Sequence, residues 1–434
     1  MTTGKVENAG PVPADQGALT APLDQGAPTA PPEEGARAAL KNRNFLLLLV
    51  GQPFATMGAG MRSVVNAFQV FQITGDSRLL GLTFLFQGLP SLVMGLFGGT
   101  LADILDRRLL LRITMAAQVV IALALAWLTA QGHIQVGHIY TATFLGAALQ
   151  SVANPAMQAL LPTVVPPQQL MSAIALQSAS GQAAMLLGPL LGGVTLELAG
   201  ASAAYVADAA LIAPALITLW LLRLDKEPER REVKLNLTSI FEGLAFVLQS
   251  RVLLAFVLLD TVTMVLGYYP AMMPVMAKEV LQVGPSGLGA LVAAPSVGAL
   301  LGFAGVLLLG NIRKKGAVIV AVTIAHGVVL AAFAYSHWFI ASLTLVALLG
   351  FLDSLSVSVR TTCFQLLAPE HIRGRVMSVL FISAVSANSL GGAYLGLAVS
   401  LMGPQAALAS GGILAGLFCL ALALTMKSVR NFSV

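Results

Sequence analysis

From Phe45 to the C-terminal end, apolar runs of about 20 residues alternate with short polar breaks, and a run of that length is what one helical crossing of a bilayer needs. The pattern predicts twelve spans, at 45–73, 79–102, 109–131, 138–161, 170–197, 203–222, 252–277, 287–309, 317–335, 339–367, 375–400 and 405–426. One connection is long. Residues 223–251 open with charges of mixed sign and continue as Ser239-Ile240-Phe241-Glu242, a capping-box pattern, with Phe241, Leu244 and Leu248 on one stripe. This predicts a helix lying on the membrane surface and leading into the seventh span. Ahead of the first span, residues 1–38 repeat Asp15-Gln16-Gly17-Ala18 as Asp24-Gln25-Gly26-Ala27 among prolines. That segment has too little apolar area to offset its ordering entropy and reads as a disordered tail. It is too long and polar for a cleavable signal, so the first span is expected to act as its own insertion signal. The domain plan is therefore a tail at 1–38, a six-helix half at 39–222, a linker at 223–251, a second half at 252–427 and a short end at 428–434.

Composition agrees with that pattern and closes off other classes. The chain is 57% hydrophobic and 10% charged, with a mean hydropathy of +0.85; soluble domains run near 45–50% and about 25%. A soluble enzyme, a nucleic-acid-binding domain and a disordered chain are excluded. The net charge of +5 is distributed by side. With the N-terminus inside, 20 of the 24 lysines and arginines fall in inner segments, Arg78 and Lys278 fall outside, and Arg62 and Arg360 fall within spans. The positive-inside rule then places both termini in the cytoplasm. Two cysteines, Cys363 and Cys419, exclude a disulfide scaffold, and five scattered histidines have no metal-ligand spacing. No metal, cofactor or nucleic-acid partner is expected.

The two halves repeat at an offset of about 206 residues. Gly95-Leu96-Phe97-Gly98 before Arg107-Arg108 aligns with Gly302-Phe303-Ala304-Gly305 before Lys314-Lys315, and Leu160-Leu161 with Met171-Ser172 aligns with Leu366-Leu367 and Met377-Ser378. A parallel six-helix duplication is the arrangement of transporters that rock two halves about a central site.

Gly99-Thr100-Leu101-Ala102-Asp103-Ile104-Leu105-Asp106-Arg107-Arg108 resembles the loop 2–3 signature of the major facilitator superfamily, keeping Gly99, Leu101, Asp103, Arg107 and Arg108. It has Ile104 where an arginine is usual and Asp106 where a glycine is usual. Gln365 to Ser378, with Pro369, Arg373, Gly374 and Arg375, resembles the loop 10–11 pattern of the bacterial branch holding enterobactin exporters and related drug-efflux carriers. Gly188-Pro189-Leu190-Leu191-Gly192-Gly193 is similar to the core of the superfamily's antiporter motif. Read physically, its glycines let helices touch and its proline permits a bend, which ordinary small-residue packing also explains. The resemblance implies an all-α membrane protein of twelve transmembrane helices in two pseudo-symmetric halves, located in the bacterial inner membrane. It also implies a central cavity lined by spans 1, 4, 7 and 10.

Ionisable groups inside a bilayer are costly and mark function by default. Arg62 heads a polar face with Asn66 and Gln69; Asp260 stacks with Met264, Gly267 and Tyr268; Asp353 and Arg360 share a face. Arg62 needs a partner, either Asp260 or an anionic group on the solute. Arg360 lies toward the cytoplasmic third, where it can snorkel. Asp208 is expected near the outer headgroups, and His326 as a packed or lipid-edge residue. Gln150, Asn154 and Gln158 line one face of the fourth span and either glue helices or bind a ligand. Burial favours the neutral form of a carboxylic acid, which makes Asp353 and Asp260 the expected proton carriers. Asp103 is expected to dock against Arg373, Gly374 and Arg375 as an inner gate, with Gly99, Arg107 and Arg108 shaping the turn.

The reading is a monomeric secondary transporter exporting a small amphiphilic molecule by alternating access with proton antiport. Few polar groups line the expected cavity, too few to replace the water contacts of a sugar. An importer, a lipid or lysolipid translocase and a non-transporting receptor remain as alternatives; a membrane enzyme has no nucleophile–base pair to work with.

Overall fold

The computed structural model describes residues 32–104, 106–222, 237–309 and 314–426. Eleven of the twelve predicted spans coincide with a helix or with one arm of a helix; the seventh, 252–277, is one continuous helix only as far as Gly267 and goes on in short turns. In order these are α1 (Pro32–Lys41), α2 (Arg43–Thr74), α3 (Ser77–Ile104), α4 (Arg107–Ala130), α5 (Val136–Val164), α6 (Leu170–Leu221) and α7 (Leu237–Gln249). They are followed by α8 (Arg251–Gly267), short turns from Tyr269 to Val280, α9 (Pro285–Leu309), α10 (Lys315–Ala334), α11 (Phe339–Leu367), α12 (Arg373–Met402) and α13 (Pro404–Thr425). Ten of the described helices are long and apolar enough to cross a membrane.

One of those ten, α6, is 52 residues long and turns back on itself at Gly200, where φ is 80° and ψ is 177°. A positive φ of that kind is open to glycine and strained for other residues. The packing against α2 shows the reversal. Gly188 and Gly192 lie against Met57 and Met61, while Gly58 and Gly51 lie against Asp208 and Ala215, so the two arms run antiparallel along one helix. They account for the predicted fifth and sixth spans.

Residues 32–38, expected from the sequence to lie in the tail, belong to α1, which opens at Pro32, a residue that a first helical turn tolerates. Ala39 of α1 is fully buried among Phe45, Leu110 and Leu222. The linker helix α7 is present and starts at Leu237; the Ser239 side chain, half of the predicted capping box, lies outside the described residues. Glu242 of α7 forms an ion pair with Arg375 at the start of α12. Gly243 and Val247 of α7 are buried, and Leu244 and Leu248 face outward. This leaves an apolar stripe of the kind that suits a bilayer surface.

How the two halves meet differs between the ends of the bundle. At the end opposite the termini one apolar cluster runs through both halves, from Phe71, Leu80 and Ile139 to Met276, Leu288 and Leu395. Two helix pairs knit that end. A Cβ on Gly193 of α6 would lie 2.5 Å from the Pro285 carbonyl and 2.9 Å from the Gly289 Cα of α9. A Cβ on Gly396 of α12 would lie 2.6 Å from the Ser77 carbonyl and 3.0 Å from the Gly81 Cα of α3. Backbones approach that closely only where side chains are absent. Ser77 Oγ donates to the Gly396 carbonyl at 2.9 Å, Glu197 accepts from the Ser286 N–H at 2.8 Å, and the Lys278 ammonium sits 5.2 Å from the Phe71 ring centre. At the terminus-bearing end the core is split into two separate clusters, one around Phe45, Leu111 and Leu219, the other around Phe256, Phe364 and Cys419. Large apolar side chains such as Val120, Ile217, Leu308, Val328 and Leu417 are exposed around the outside, the surface of a protein whose solvent is lipid.

Candidate functional site

The split between the halves holds a cavity of about 650 Å³. Helix α2 contributes Ala59, Arg62, Ser63, Asn66 and Ala67, α3 contributes Thr83, Phe84, Gln87 and Ser91, and α5 contributes a face from Ala142 to Gln158. The second half adds Ser378, Phe381 and Val385 of α12. These positions run from mid-bundle toward the terminus-bearing end. The amide face of α5 is therefore cavity lining: Gln150 Nε2 donates to Asn154 Oδ1 at 2.8 Å, and Gln158 follows one turn on. Among the described residues, Arg62 is the single charged group of the lining.

Arg62 finds its partners inside its own half. Its Nη2 donates to Gln118 Oε1 of α4 at 2.8 Å, and its Nη1 lies 3.4 Å from Asp208 Oδ2 of α6. The expectation of an Arg62–Asp260 bridge between halves is overturned, because Asp208 stands nearer on the neighbouring arm of α6. Asp208 is not a headgroup residue either. It is fully buried, eight residues below the turn at Gly200, packed on Gly58. Beyond Arg62 the polar face of α2 continues into a closed ladder. Tyr205 Oη lies 2.8 Å from both Asn66 Oδ1 and Gln69 Oε1, sharing its one proton between them. Asn66 Nδ2 donates to Thr143 Oγ1 and Gln69 Nε2 to Thr129 Oγ1, each at 3.2 Å. Asn66 reaches the cavity; Gln69, 4% exposed, does not, since seven residues carry it about 10 Å farther along the axis.

The second half has its own constellation. Arg360 of α11 is ion-paired with Asp260 of α8, so it does not snorkel. Asp353, Thr263 and His326 stand around the same small cavity of about 20 Å³. His326 is buried with its ring centre 6.3 Å from that of Tyr269, a packed residue and not a lipid-edge one. Tyr268 lines neither cavity. It caps α8 and sets its ring edge-on against Phe84 of the other half, 5.5 Å between centres.

The gating residues are only partly placed. Gly99 and Asp103 are at the end of α3 with side chains outside the described residues. Arg107 Nη1 donates to the Ala159 carbonyl at 3.2 Å, and Arg108 is half-buried at the first turn of α4. Arg373 and Gly374 are exposed at the start of α12, and Arg375 is engaged by Glu242 of α7. Gly188, Pro189, Gly192 and Gly193 are buried; the first and third let α6 press on α2, and Gly193 belongs to the contact with α9. Sequence reasoning missed Gln118, Tyr205 and Thr83, and it did not give Glu242 its partner Arg375. Thr114 and Gln118 share a helical face in an otherwise apolar span, as do Tyr205 and Asp208, and that pairing of polar positions was the available signal.

The family model of the Major Facilitator Superfamily matches residues 48–392. The chain is 26% identical over 364 residues to the multidrug efflux pump Tap of Mycolicibacterium fortuitum, covering 81% of this chain and 88% of that protein. It is 23% identical over 392 residues to the enterobactin exporter EntS of Salmonella typhi, covering 89% and 93%. In fold it is similar to the nucleoside transporter NupG, with a TM-score of 0.72 over 90% of this chain and 100% of that one at 11% identity. It is also similar to a bacterial homolog of the human lysosomal transporter Spinster in an inward-facing, unoccupied conformation, with a TM-score of 0.67 over 90% and 96% at 16% identity. The chain belongs to the major facilitator superfamily, and is a multi-pass membrane transporter rather than an enzyme.

Proposed function

We propose that this protein exports a small amphiphilic molecule by alternating access, driven by inward movement of protons, as a monomer in the bacterial inner membrane with both termini in the cytoplasm. The observation that carries the reading is the asymmetry of the inter-half contact. The halves are sealed backbone to backbone at the end opposite the termini and part around a 650 Å³ cavity toward the other end. A volume of that order takes a drug-sized solute. With the basic residues concentrated on the terminus-bearing side, the cavity faces the cytoplasm, as loading for export requires. Efflux-type relatives support outward transport.

Proton coupling is assigned to the second half. Asp260 and Asp353 face one arginine there, so the site carries one excess negative charge in a medium of low dielectric, and binding a proton relieves it. The test is proton-gradient-driven solute accumulation in inverted proteoliposomes, using a panel of aromatic acids, catechols and amphiphilic amines. Asp353→Asn is expected to abolish accumulation against the gradient while leaving exchange at equal pH. Full gradient-driven accumulation in both Asp353→Asn and Asp260→Asn removes these carboxylates from coupling, and solute movement in the opposite sense makes the protein an importer.

A further inference from the structure

We propose that the central cavity selects for solutes carrying an anionic acceptor group, such as a carboxylate, sulfonate or ionised phenol, seated against Arg62, and that it discriminates against cations of the same shape. The proposal rests on the cavity being the transport site and concerns which charge class it takes.

Three features of the cavity point this way. First, among the described residues the cavity lining includes one cation, Arg62, and no aspartate or glutamate. The buried carboxylates lie elsewhere: Asp260 and Asp353 line the separate small cavity of the second half. Second, the Arg62–Asp208 pair is oriented. Arg62 lines the cavity, whereas Asp208 is fully buried behind it against Gly58 and Ile212. A solute therefore meets the positive end of the pair, and a cation there faces the guanidinium first, with the Asp208 carboxylate behind it. The pair is also loose. Arg62 Nη1 is enclosed, 3.4 Å from Asp208 Oδ2, and has no hydrogen-bond partner, so a small turn of the guanidinium toward the cavity offers a donor to a solute oxyanion. Third, Thr83 Oγ1 on the facing wall is buried, lines the cavity and has no hydrogen-bond partner. A solute acceptor can satisfy that hydroxyl as well as the guanidinium. Phe84, Phe381 and Val385 supply the apolar side of the same space, so the complementary molecule is an apolar body with an acidic head.

The test uses one aryl skeleton with three charges: 2-naphthoate, 2-naphthalenemethanol and 2-naphthylmethylammonium. Binding is measured by calorimetry on the full chain in nanodiscs of zwitterionic phosphatidylcholine, which removes membrane charge as a source of preference. The wild type is expected to bind the acid at least tenfold more tightly than the ammonium. The double variant Arg62→Gln/Asp208→Asn neutralises both partners, so no lone buried charge is left to unfold the protein. In it the acid-to-ammonium ratio is expected to fall to about one, with the alcohol unchanged. Thr83→Ala is expected to weaken the acid and the alcohol alike. Equal or tighter binding of the ammonium by the wild type overturns the proposal, as does an undiminished ratio in the double variant. If all probes bind alike and an Ala142→Trp substitution in the cavity wall abolishes them together, the charge preference falls while the transport cavity stands. If none binds, both fall.

Discussion

Each half of the molecule buries one arginine against one aspartate, and the two pairs are set up differently. In the first half Arg62 holds Asp208 at 3.4 Å and Gln118 at 2.8 Å, next to an uncharged ladder through Asn66, Tyr205, Gln69, Thr129 and Thr143. Its charges balance, and it borders the large cavity. In the second half Arg360 is in direct contact with Asp260 while Asp353, on the same small cavity, makes no hydrogen bond or ion pair among the described residues. Its charges do not balance. The first site is neutral overall, with its arginine held by a hydrogen bond to Gln118, whereas the second sets two acids against one arginine. Under the proposed function the two pairs divide the tasks of a coupled carrier, with solute contact assigned to one half and proton binding to the other.

The comparison is easiest to break at Arg360. Arg360→Met leaves two carboxylates facing each other in the interior and is expected to cost about 3–5 kcal/mol, the usual effect of orphaning a buried charge. It should be read as a loss of thermal stability of the purified protein by scanning fluorimetry. The double variant Arg360→Met/Asp260→Leu should regain most of that stability yet fail to drive export with a proton gradient; a stable single variant would mean the pair bears no structural weight. Arg62→Met is the matched change in the first half. Only one carboxylate is orphaned there, and once Asp208 takes up a proton the remaining cost is that of an unsatisfied buried group, about 1–3 kcal/mol. A loss equal to that of Arg360→Met would show that the halves are not energetically distinct. Tyr205→Phe gives the smallest effect. It removes one shared hydroxyl from Asn66 and Gln69, which keep Thr143 and Thr129, so about 1 kcal/mol is expected, with gradient-driven transport retained. Loss of transport without loss of stability would place the ladder in the transport cycle itself.

The elements were legible and the partners were not. Long apolar runs separated by charged or Gly/Pro breaks set the helices to within a few residues, because lipid demands that backbone polar groups be satisfied within each span. Even the turn at Gly200 fell between two predicted runs. Which buried charge meets which depends on helix rotation and neighbour choice, and Arg62 and Asp208 are 146 positions apart. The polar face of α2 was visible as a period, but periodicity carries no depth: Arg62 and Asn66 reach the cavity and Gln69 passes beyond it. Glu242 shows the same limit: the sequence pattern assigns it to its own helix start, and the structure pairs it with Arg375, 133 positions away.

Helix α5 pays for its amides before the protein ever carries a solute. At 29 residues it is as long as its neighbours, yet among described helices of at least 18 residues it alone falls short of the apolarity of a candidate span. Gln150, Asn154 and Gln158 suit a watery cavity and oppose entry into hydrocarbon as a lone segment. The residues that line the binding space are thus the ones that make α5 the costliest of the long described helices to place in lipid by itself, a cost that the water-filled cavity offsets once the bundle closes around it.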